Sequence, residues 1–247
     1  MKCIILAAGY ATRLYPLTEN YPKPLLKVNN KRIIDWLIED ISKSKDISDF
    51  YVVSNHKFIK NFEKWNSLNN KNIKIIDDGS ISNETRLGAV KDIQLVIEKE
   101  KIDDDILVLA GDNVLDFSLL PFIDYFKEKK ASCILRYFEK DFDKIKKSGN
   151  LILSSKDKVE KMLEKPRNPE SHWCVPPFYI YSKNDLPKIK EAIDNGCNID
   201  APGSLISYLS DKIDIYAMKM LGKRYDIGNI DSYNKANKFY KGIIKNW

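Results

Sequence analysis

Hydrophobic and polar positions in the first 140 residues follow two alternating patterns. Short, continuously apolar runs rich in Val, Ile and Leu are typical of strands buried on both faces. Between them lie longer stretches whose apolar positions recur at helical spacing. The runs predict strands over Lys2–Ala8, Phe50–Ser54, Ile73–Ile76, Asp105–Leu109 and Ser132–Phe138. The stretches predict helices over Ile33–Ile41, Phe58–Leu68, Thr85–Lys99 and Leu119–Lys129.

This order of elements predicts an α/β protein, a three-layer α/β/α sandwich with a mostly parallel central sheet. Right-handed crossovers bring the carboxyl ends of parallel strands to one edge, where ligands of such sheets bind. Candidate chemistry is therefore expected in the loops that follow the strands. These loops are Gly9–Lys23, Ser54–Lys57, Asp77–Thr85 and Ala110–Val114.

After about residue 140 the apolar runs become shorter and are separated by prolines. Strands are predicted over Asn150–Ser154, Val159–Leu163, Val175–Tyr181 and Ile213–Met220. Helices are predicted over Leu186–Asp194, Gly203–Ser210 and Asp231–Trp247. Because no repeat or long linker interrupts the chain, we expect one domain over residues 1–247, with halves 1–140 and 141–247. The second half is expected to complete the sheet and add a small mixed β lid.

Composition narrows the class of protein. No apolar run approaches the ~18 residues of a membrane span, and the N-terminal run is too short for a signal peptide. The four cysteines show neither a C-x-x-C pair nor metal-ligand spacing, which favours a reducing, cytoplasmic setting. The net charge of +6 rests on 35 Lys and only 6 Arg, and the Lys residues are interleaved with acids. Readers of nucleic acid concentrate Arg and aromatics on one face, so neither nucleic acid nor a membrane is expected as a partner.

The first loop carries the most informative motif, Leu-Ala-Ala-Gly-Tyr-Ala-Thr-Arg-Leu over Leu6–Leu14. It lacks the glycines of the dinucleotide fingerprint and the Gly-Lys-Ser/Thr of a Walker A loop. What remains is a small-residue turn, Arg13, and Lys23 held between two prolines. Small residues let backbone amides approach an anion. The motif alone fits an anion-binding loop and a plain strand exit with surface cations equally well.

Together with Pro-Lys-Pro-Leu over Pro22–Leu25, this motif strongly resembles the signature of the sugar-phosphate nucleotidylyltransferases, which include glucose-1-phosphate thymidylyltransferase. Further landmarks follow in order, and the resemblance runs from Met1 to about Tyr233. They are Gly111-Asp112-Asn113, Glu164-Lys165-Pro166 and Tyr225-Asp226-Ile227-Gly228. The resemblance implies a Rossmann-like fold. It also implies that a nucleoside triphosphate and a phosphorylated acceptor give a nucleoside-diphosphate conjugate and pyrophosphate.

In that reaction the attacking phosphate oxygen is already anionic, so charge neutralisation is needed and a general base is not. The resemblance implies that Arg13 braces the β- and γ-phosphates, Lys23 the α-phosphate and Lys165 the acceptor phosphate. It also makes Asp112 and Asp226 ligands of Mg²⁺, an ion that takes one or two protein carboxylates besides phosphate and water. Taken singly, each of these two aspartates also reads as a cap or turn residue.

The family resemblance assigns the remaining site residues. Those implied to bind the nucleotide are Leu6, Ala7, Ala8, Gly9, Asn83, Gly88 and Asp112. Those implied to bind the acceptor are Gly149, Glu164, Lys165 and Tyr179. Residues 1–140 would then be the nucleotide-binding half, and 141–247 the acceptor-binding half with the C-terminal helix. Gly88 costs about 1 kcal/mol relative to Ala in a helix, for which ligand approach and tight packing are equally good reasons.

Several positions depart from the family pattern. Ala11 replaces the second glycine of the first motif and disfavours a positive φ there. Asp194–Gly203 lacks an Arg expected near the acceptor phosphate, and Ser171–Pro177 is unlike a common hexose pocket. Trp173 could face a cationic head group, although packing is favoured. His56 and His172 receive no role.

The leading hypothesis is a Mg²⁺-dependent nucleotidylyltransferase that acts on a sugar 1-phosphate, with thymidylyl or uridylyl transfer as the first expectation. Alternatives are a cytidylyltransferase for phosphocholine or another small phosphorylated alcohol, and a non-catalytic nucleotide- or sugar-sensing homologue. The full set of cations and carboxylates argues against a sensor. The expected partners are a nucleoside triphosphate and a phosphorylated small molecule. Members of this family are commonly dimers or tetramers, so a homo-oligomer is also possible for this chain.

Overall fold

The computed structural model describes residues 1–68 and 73–244. The chain divides into two compact units, which are described separately. The first unit consists of Met1–Leu87, Ala110–Pro121 and Leu221–Trp247, and the second of Gly88–Leu109 and Phe122–Met220. The expectation of one domain divided near residue 140 stays a prediction.

The first unit is built on three parallel strands, β1, β4 and β5, in the order β1-β4-β5. Their register pairs Leu6 with Val53 and Ser54 with Asp77, so the strands end side by side. Two antiparallel ribbons, β2 with β3 and β7 with β14, complete its strands. The strands are β1 Lys2–Leu6, β2 Lys27–Val28, β3 Lys31–Arg32, β4 Asp49–Ser54, β5 Ile73–Asp77, β7 Asn113–Leu115 and β14 Arg224–Asp226. The helices are α1 Ile33–Ile41, α2 Ile59–Asn66 and α8 Ile230–Phe239.

The second unit contains a mixed sheet in the order β10-β9-β11-β8-β12-β6. Its neighbours along this order are antiparallel, whereas β13 pairs with β8 in parallel. The strands are β6 Ile106–Ala110, β8 Ser132–Phe138, β9 Gly149–Leu153, β10 Val159–Glu164, β11 Trp173–Val175, β12 Phe178–Tyr181 and β13 Ile215–Lys219. The helices are α3 Ala89–Lys99, α4 Leu120–Lys129, α5 Phe142–Ile145, α6 Pro187–Asp194 and α7 Pro202–Leu209. The predicted α/β class is confirmed.

A hydrophobic cluster in the first unit supports the loops in which candidate chemistry was expected. Leu14 of the first loop, Val114 of β7 and Ile227 after β14 are all fully buried in it. Tyr240 closes the cluster from the end of α8, with its hydroxyl donating to Leu115 O at 3.0 Å. Because these side chains are removed from water together, the first loop and the β7–β14 ribbon are fixed to one core.

Several predicted boundaries are wrong for local reasons. The helix predicted from Thr85 begins at Ala89, because Gly88 has φ +95°. The strand predicted over Val175–Tyr181 is two strands, β11 and β12, because two prolines between them cannot donate to a ladder. The C-terminal helix ends at Phe239, and the last three positions of its predicted range lie outside the described residues.

Two expectations from composition can be compared directly with the structure. Cys3, Cys133 and Cys174 are buried and Cys197 is partly buried, and all four are free thiols. Burial raises the pKa of the Cys133 thiol to about 12, which is typical of a cysteine that packs as a small apolar group. Among the described residues, no helix is long and apolar enough to span a bilayer.

Candidate active site

The loop after β1 is held by hydrogen bonds to the neighbouring strand and has open space at Gly9. Ala7 N donates to Val53 O at 2.9 Å, and the buried Asn55 side chain donates from Nδ2 to Ala8 O at 2.8 Å. Gly9 is exposed, and a Cβ at that position would meet no atom within 4 Å. Ala7 and Ala8 are therefore fixed to the sheet, and open space lies beside Gly9. The assignment of Leu6, Ala7, Ala8 and Gly9 to nucleotide binding stays a prediction.

Ala11 adopts φ +49°, ψ +40°, the left-handed conformation that alanine disfavours. The Ala11 carbonyl accepts hydrogen bonds from Leu14 N at 2.9 Å and from the fully buried Thr18 Oγ1 at 2.8 Å. A left-handed alanine costs roughly 1 kcal/mol, and these two bonds offset that cost. The turn at Ala11 is thus held by hydrogen bonds to its own carbonyl.

Lys23 and Asp112 form the central ion pair of the first unit. Lys23 Nζ donates to Asp112 Oδ2 at 2.6 Å and to Ile227 O at 3.0 Å, and its side chain is only 13% exposed. Burial would raise the pKa of Asp112, but the charge and hydrogen bond of Lys23 and the charge of Arg224 outweigh it and hold this pKa below its ordinary value. Asp112 is therefore ionised at neutral pH, and Lys23 is fixed by two oxygens.

Asp226 lies next to this pair through strand register. In the β7–β14 ribbon Asp226 is directly opposite Asn113, the residue after Asp112. Asn113 Nδ2 donates to Asp112 Oδ1 at 2.6 Å, and Arg224 donates to Asn113 Oδ1 at 2.9 Å and lies 3.5 Å from Asp226 Oδ2. The ribbon therefore places Asp226 opposite the residue that follows Asp112, and Asn113 and Arg224 link the two aspartates through side-chain contacts. Among residues 1–68 and 73–244 there is no group of three or more His, Cys, Asp or Glu arranged to hold a metal ion.

Arg13 and Asn83 are the other candidates in this unit. Arg13 is exposed and forms no hydrogen bond or ion pair with the described part of the chain. Asn83 was expected to open a helix, but it lies in a turn before α3, where its carbonyl accepts from Arg86 at 2.7 Å. Both stay predictions as ligand contacts.

Gly88, in the second unit, is explained by protein packing. A Cβ there would lie 2.7 Å from Ile199 O, and Val90 N donates to the same oxygen at 3.0 Å. Of the two reasons considered for this glycine, close packing is the one found, with the Ile199 backbone as the neighbour. Its φ of +95° is a second requirement for glycine.

Three of the predicted acceptor residues, Gly149, Glu164 and Lys165, lie beside one another in the second unit. Glu164, at the end of β10, is paired with Gly149 of β9. A Cβ on Gly149 or on Gly203 would lie 3.4 or 2.2 Å from Glu164 Oε2. Burial raises the pKa of Glu164, and Lys165 Nζ, 3.8 Å from Oε1, lowers it less. Gly203 thus leaves room for the half-buried carboxylate, whereas a Cβ on Gly149 would clash first with Met162 Cε. The Lys165 ammonium beside Glu164 is exposed.

Tyr179 and Trp173 pack against other side chains, and no hydrogen bond or ion pair joins either of them to Glu164 among the described residues. Tyr179 is 3% exposed in β12, and its ring stacks on Tyr181 with centroids 6.1 Å apart. The Trp173 ring carries the guanidinium of Arg136 at 4.5 Å from its centroid, and Arg136 also pairs with Asp157 at 2.5 Å. The Trp173 face is thus already used by an internal cation, which agrees with packing as its role.

Three residues that hold candidate segments within the two units were not predicted from the sequence. Asn55 fixes the first loop, Arg224 organises the two carboxylates, and Asn150 ties the loop after Glu164 to β9. Asn55 directly follows a predicted strand, and this position at the carboxyl end of the strand could have identified it. Arg224 and Asn150 contact residues far away in sequence, and no local pattern indicates such contacts.

A family model described as "Nucleotidyl transferase" matches residues 2–242. The chain belongs to this family. The bifunctional protein GlmU of Methanocaldococcus jannaschii is 28% identical over 97% of this chain, which spans only 54% of that protein's length. The UTP–glucose-1-phosphate uridylyltransferase AglF of Haloferax volcanii is 24% identical over 96% of both chains.

Among solved structures, a UDP-glucose pyrophosphorylase complexed with UDP-glucose superposes with a TM-score of 0.82 and 18% identity, covering 97% of each chain. At that identity the likeness concerns the fold. The Rossmann-like nucleotidyl transferase fold expected from the sequence motifs is thereby confirmed.

Proposed function

We propose that this nucleotidyl transferase moves a nucleoside monophosphate from a nucleoside triphosphate to a sugar 1-phosphate, releases pyrophosphate and requires Mg²⁺. One observation carries the proposal: Lys23 is held on Asp112 at 2.6 Å, one register position from Asp226, beside an open small-residue loop. Such a set neutralises and orients phosphates. The uridylyltransferase relative, which matches along nearly its whole length, supports a sugar phosphate as acceptor.

The proposed chemistry needs positioning and positive charge. An acceptor phosphate oxygen attacks the α-phosphorus, the bond from that phosphorus to the bridging oxygen breaks, and pyrophosphate leaves with the electron pair. Lys23 would stabilise the charge on the α-phosphate. Arg13, whose guanidinium is exposed, would take the departing β- and γ-phosphates in a bidentate contact. Because the attacking oxygen is already anionic, no side chain has to remove a proton.

The residues present fit a magnesium ion. Carboxylate oxygens are the protein ligands that Mg²⁺ prefers, and it completes its octahedron with phosphate oxygens and water. Asp112 is kept ionised by Lys23, and Asp226 is half-exposed on the adjacent strand. When bound, the ion would supply further neutralisation of the triphosphate. Asp112 already accepts a hydrogen bond from the Lys23 ammonium, so its carboxylate is stabilised as an anion.

The proposed acceptor site lies in the second unit. Lys165, whose side chain is 58% exposed, would bind the acceptor phosphate. The Glu164 carboxylate accepts no hydrogen bond from the described residues and would accept hydrogen bonds from sugar hydroxyls, which need such an acceptor. The four free thiols fit a reducing compartment, and we place the enzyme in the cytoplasm.

A substrate screen tests the proposal. The protein is incubated with Mg²⁺, each of ATP, GTP, CTP, UTP and dTTP, and each of several hexose 1-phosphates or phosphocholine. Pyrophosphate release and product mass are then read, with EDTA as the metal control. We expect a nucleoside-diphosphate sugar, first with UTP or dTTP. Turnover of phosphocholine with CTP alone would replace the sugar by an amino alcohol, and binding of nucleotide without turnover of any acceptor would indicate a sensor.

A further inference from the structure

Asn150 in β9 uses its whole side chain to hold a distant segment. It is 1% exposed, and Nδ2 donates to Ser171 O at 2.9 Å, to Ser171 Oγ at 3.2 Å and to Trp173 O at 3.0 Å. Its Oδ1 accepts from Glu170 N at 2.9 Å and from Ser171 N at 3.3 Å. All five contacts reach residues 20 or more positions away.

The two residues before Asn150 act on the other end of the same segment. Ser148 O accepts from Lys165 N at 3.1 Å, and Gly149 is paired with Glu164. The segment Lys165–His172, which leaves β10 after Glu164 and returns before β11, is therefore tied at both ends to the tripeptide Ser148–Asn150. Lys165 itself is held at φ +48°.

We propose that Asn150 is a positioning residue for the acceptor: by fixing the return of the segment Lys165–His172, it holds the backbone that aims Lys165 beside Glu164. The inference rests on the proposed function, which makes Lys165 the ligand of the acceptor phosphate. A lysine has many rotamers, and ordering it during binding lowers affinity. A backbone fixed at both ends leaves only the side chain to be ordered.

Asn150→Asp separates this role from simple packing. The carboxylate has nearly the volume of the amide and can still accept from Glu170 N, but it cannot donate, and it would face the carbonyl oxygens of Ser171 and Trp173. The return of the segment should therefore lose its bonds from Asn150 and keep those of Ser171 to Leu151 O and of His172 to Glu139, so that it loosens without leaving the sheet. Asn150→Ala removes both halves of the contact.

The matched control is Ser132→Ala in the same unit. Ser132 is 1% exposed and makes two hydrogen bonds, to Asp185 Oδ2 at 2.6 Å and from Ser182 N at 3.0 Å. It lies at the start of β8, whereas the strand next to Asn150, β11, pairs with the other end of β8 at Tyr137. Ser132→Ala should therefore lower stability without affecting the segment Lys165–His172.

The experiment measures KM for glucose 1-phosphate (or the fastest sugar 1-phosphate of the screen), KM for the nucleotide, and amide hydrogen exchange of residues 165–172. For Asn150→Asp we expect exchange in this segment to accelerate and KM for the acceptor to rise about tenfold, with kcat and KM for the nucleotide within about twofold of wild type. Ser132→Ala should change neither constant.

Each other result overturns the inference in a recognisable way. Unchanged exchange in the Asn150 variants would mean that the amide does not hold the segment. Faster exchange with an unchanged acceptor KM, or with equal effects on both substrates, would mean that the segment does not aim Lys165. Wild-type protein that transfers to no sugar phosphate would instead refute the proposed function, and the acceptor role of Asn150 with it.

Discussion

The Lys23 ammonium lies 2.6 Å from Asp112 Oδ2, joining a residue of the first loop to one that follows a strand 89 positions later. The contact is sheltered, since Lys23 is 13% and Asp112 31% exposed. A hydrogen bond between charged groups in such a setting contributes about 1.5–3 kcal/mol. The pair therefore fixes the loop before any ligand arrives and keeps an anionic oxygen at the site.

Replacing Asp112 by Asn should give a loss of stability that depends on pH. Because the pKa of Asp112 is lowered on folding, its contribution is complete above the unfolded value near 3.9 and is lost as pH falls through the folded value. We expect the free energy of unfolding of Asp112→Asn to lie about 2 kcal/mol below wild type at pH 7. The gap should narrow below about pH 4, as urea titrations at several pH values would show. A gap that stays constant with pH would contradict the charged pairing.

Asp226→Asn should abolish turnover while leaving the fold intact. The side chain is 53% exposed and its one described ion pair, with Arg224, is long at 3.5 Å, so its loss costs little stability. Binding of Mn²⁺, followed by its paramagnetic signal in the presence of nucleotide, should weaken in parallel with activity. Asp231→Asn, an exposed change in the first turn of α8, is the control. Near-normal turnover of the Asp226 variant would remove this residue from the metal site.

Sequence patterns identified the parts of this molecule that depend on local order. Continuous apolar runs located β1, β4, β5, β6 and β8, and short motifs located Lys23, Asp112, Glu164 and Asp226. Contacts between distant segments were not predictable in this way. The strands β7 and β14 have three residues each, too few to show a period, yet their register places Asp226 opposite Asn113, the residue after Asp112.

The backbone conformations of Ala11 and Gly88 were also not predictable from local sequence. Glycine is the usual residue at positive φ, so Ala11 was expected to avoid it, but Thr18 and Leu14 bond to its carbonyl and hold the turn. The helix α3 begins after Gly88, although the predicted helix began at Thr85. The neighbour of Gly88, Ile199, is 111 positions away, and no window of sequence contains both residues.

Gly88→Ala should destabilise the protein by about 2 kcal/mol or more, because the new Cβ meets a backbone oxygen 2.7 Å away and the residue has φ +95°. The Val90 N to Ile199 O bond should break with it, giving faster amide exchange at Val90. Thermal unfolding and exchange measurements would check both effects. A normal stability combined with a raised nucleotide KM would show that ligand approach, and not packing, requires this glycine.

Glu164→Gln should make the protein more stable at high pH and weaken its binding of the sugar phosphate. Because burial raises the pKa of Glu164, the ionised group destabilises the folded state above its folded pKa, and this cost vanishes below the unfolded value near 4.3. The variant should therefore unfold at a higher temperature than wild type at pH 8 and at nearly the same temperature at pH 4. Its KM for the sugar phosphate should rise, since an amide accepts fewer hydrogen bonds than a carboxylate. Lower stability at pH 8 would mean that the carboxylate has a stabilising partner.

Gly203→Ala tests whether the space around Glu164 matters for acceptor binding. The added Cβ would lie 2.2 Å from Glu164 Oε2, and because that atom ends a flexible side chain, the carboxylate can move away. Alanine is favoured over glycine in a helix by about 1 kcal/mol, so stability should change by no more than about that amount. Displacing the carboxylate should still raise KM for the sugar phosphate about tenfold and leave KM for the nucleotide unchanged. Ser210→Ala, at the other end of α7, is the control. Equal increases in both constants would place the effect outside the acceptor pocket.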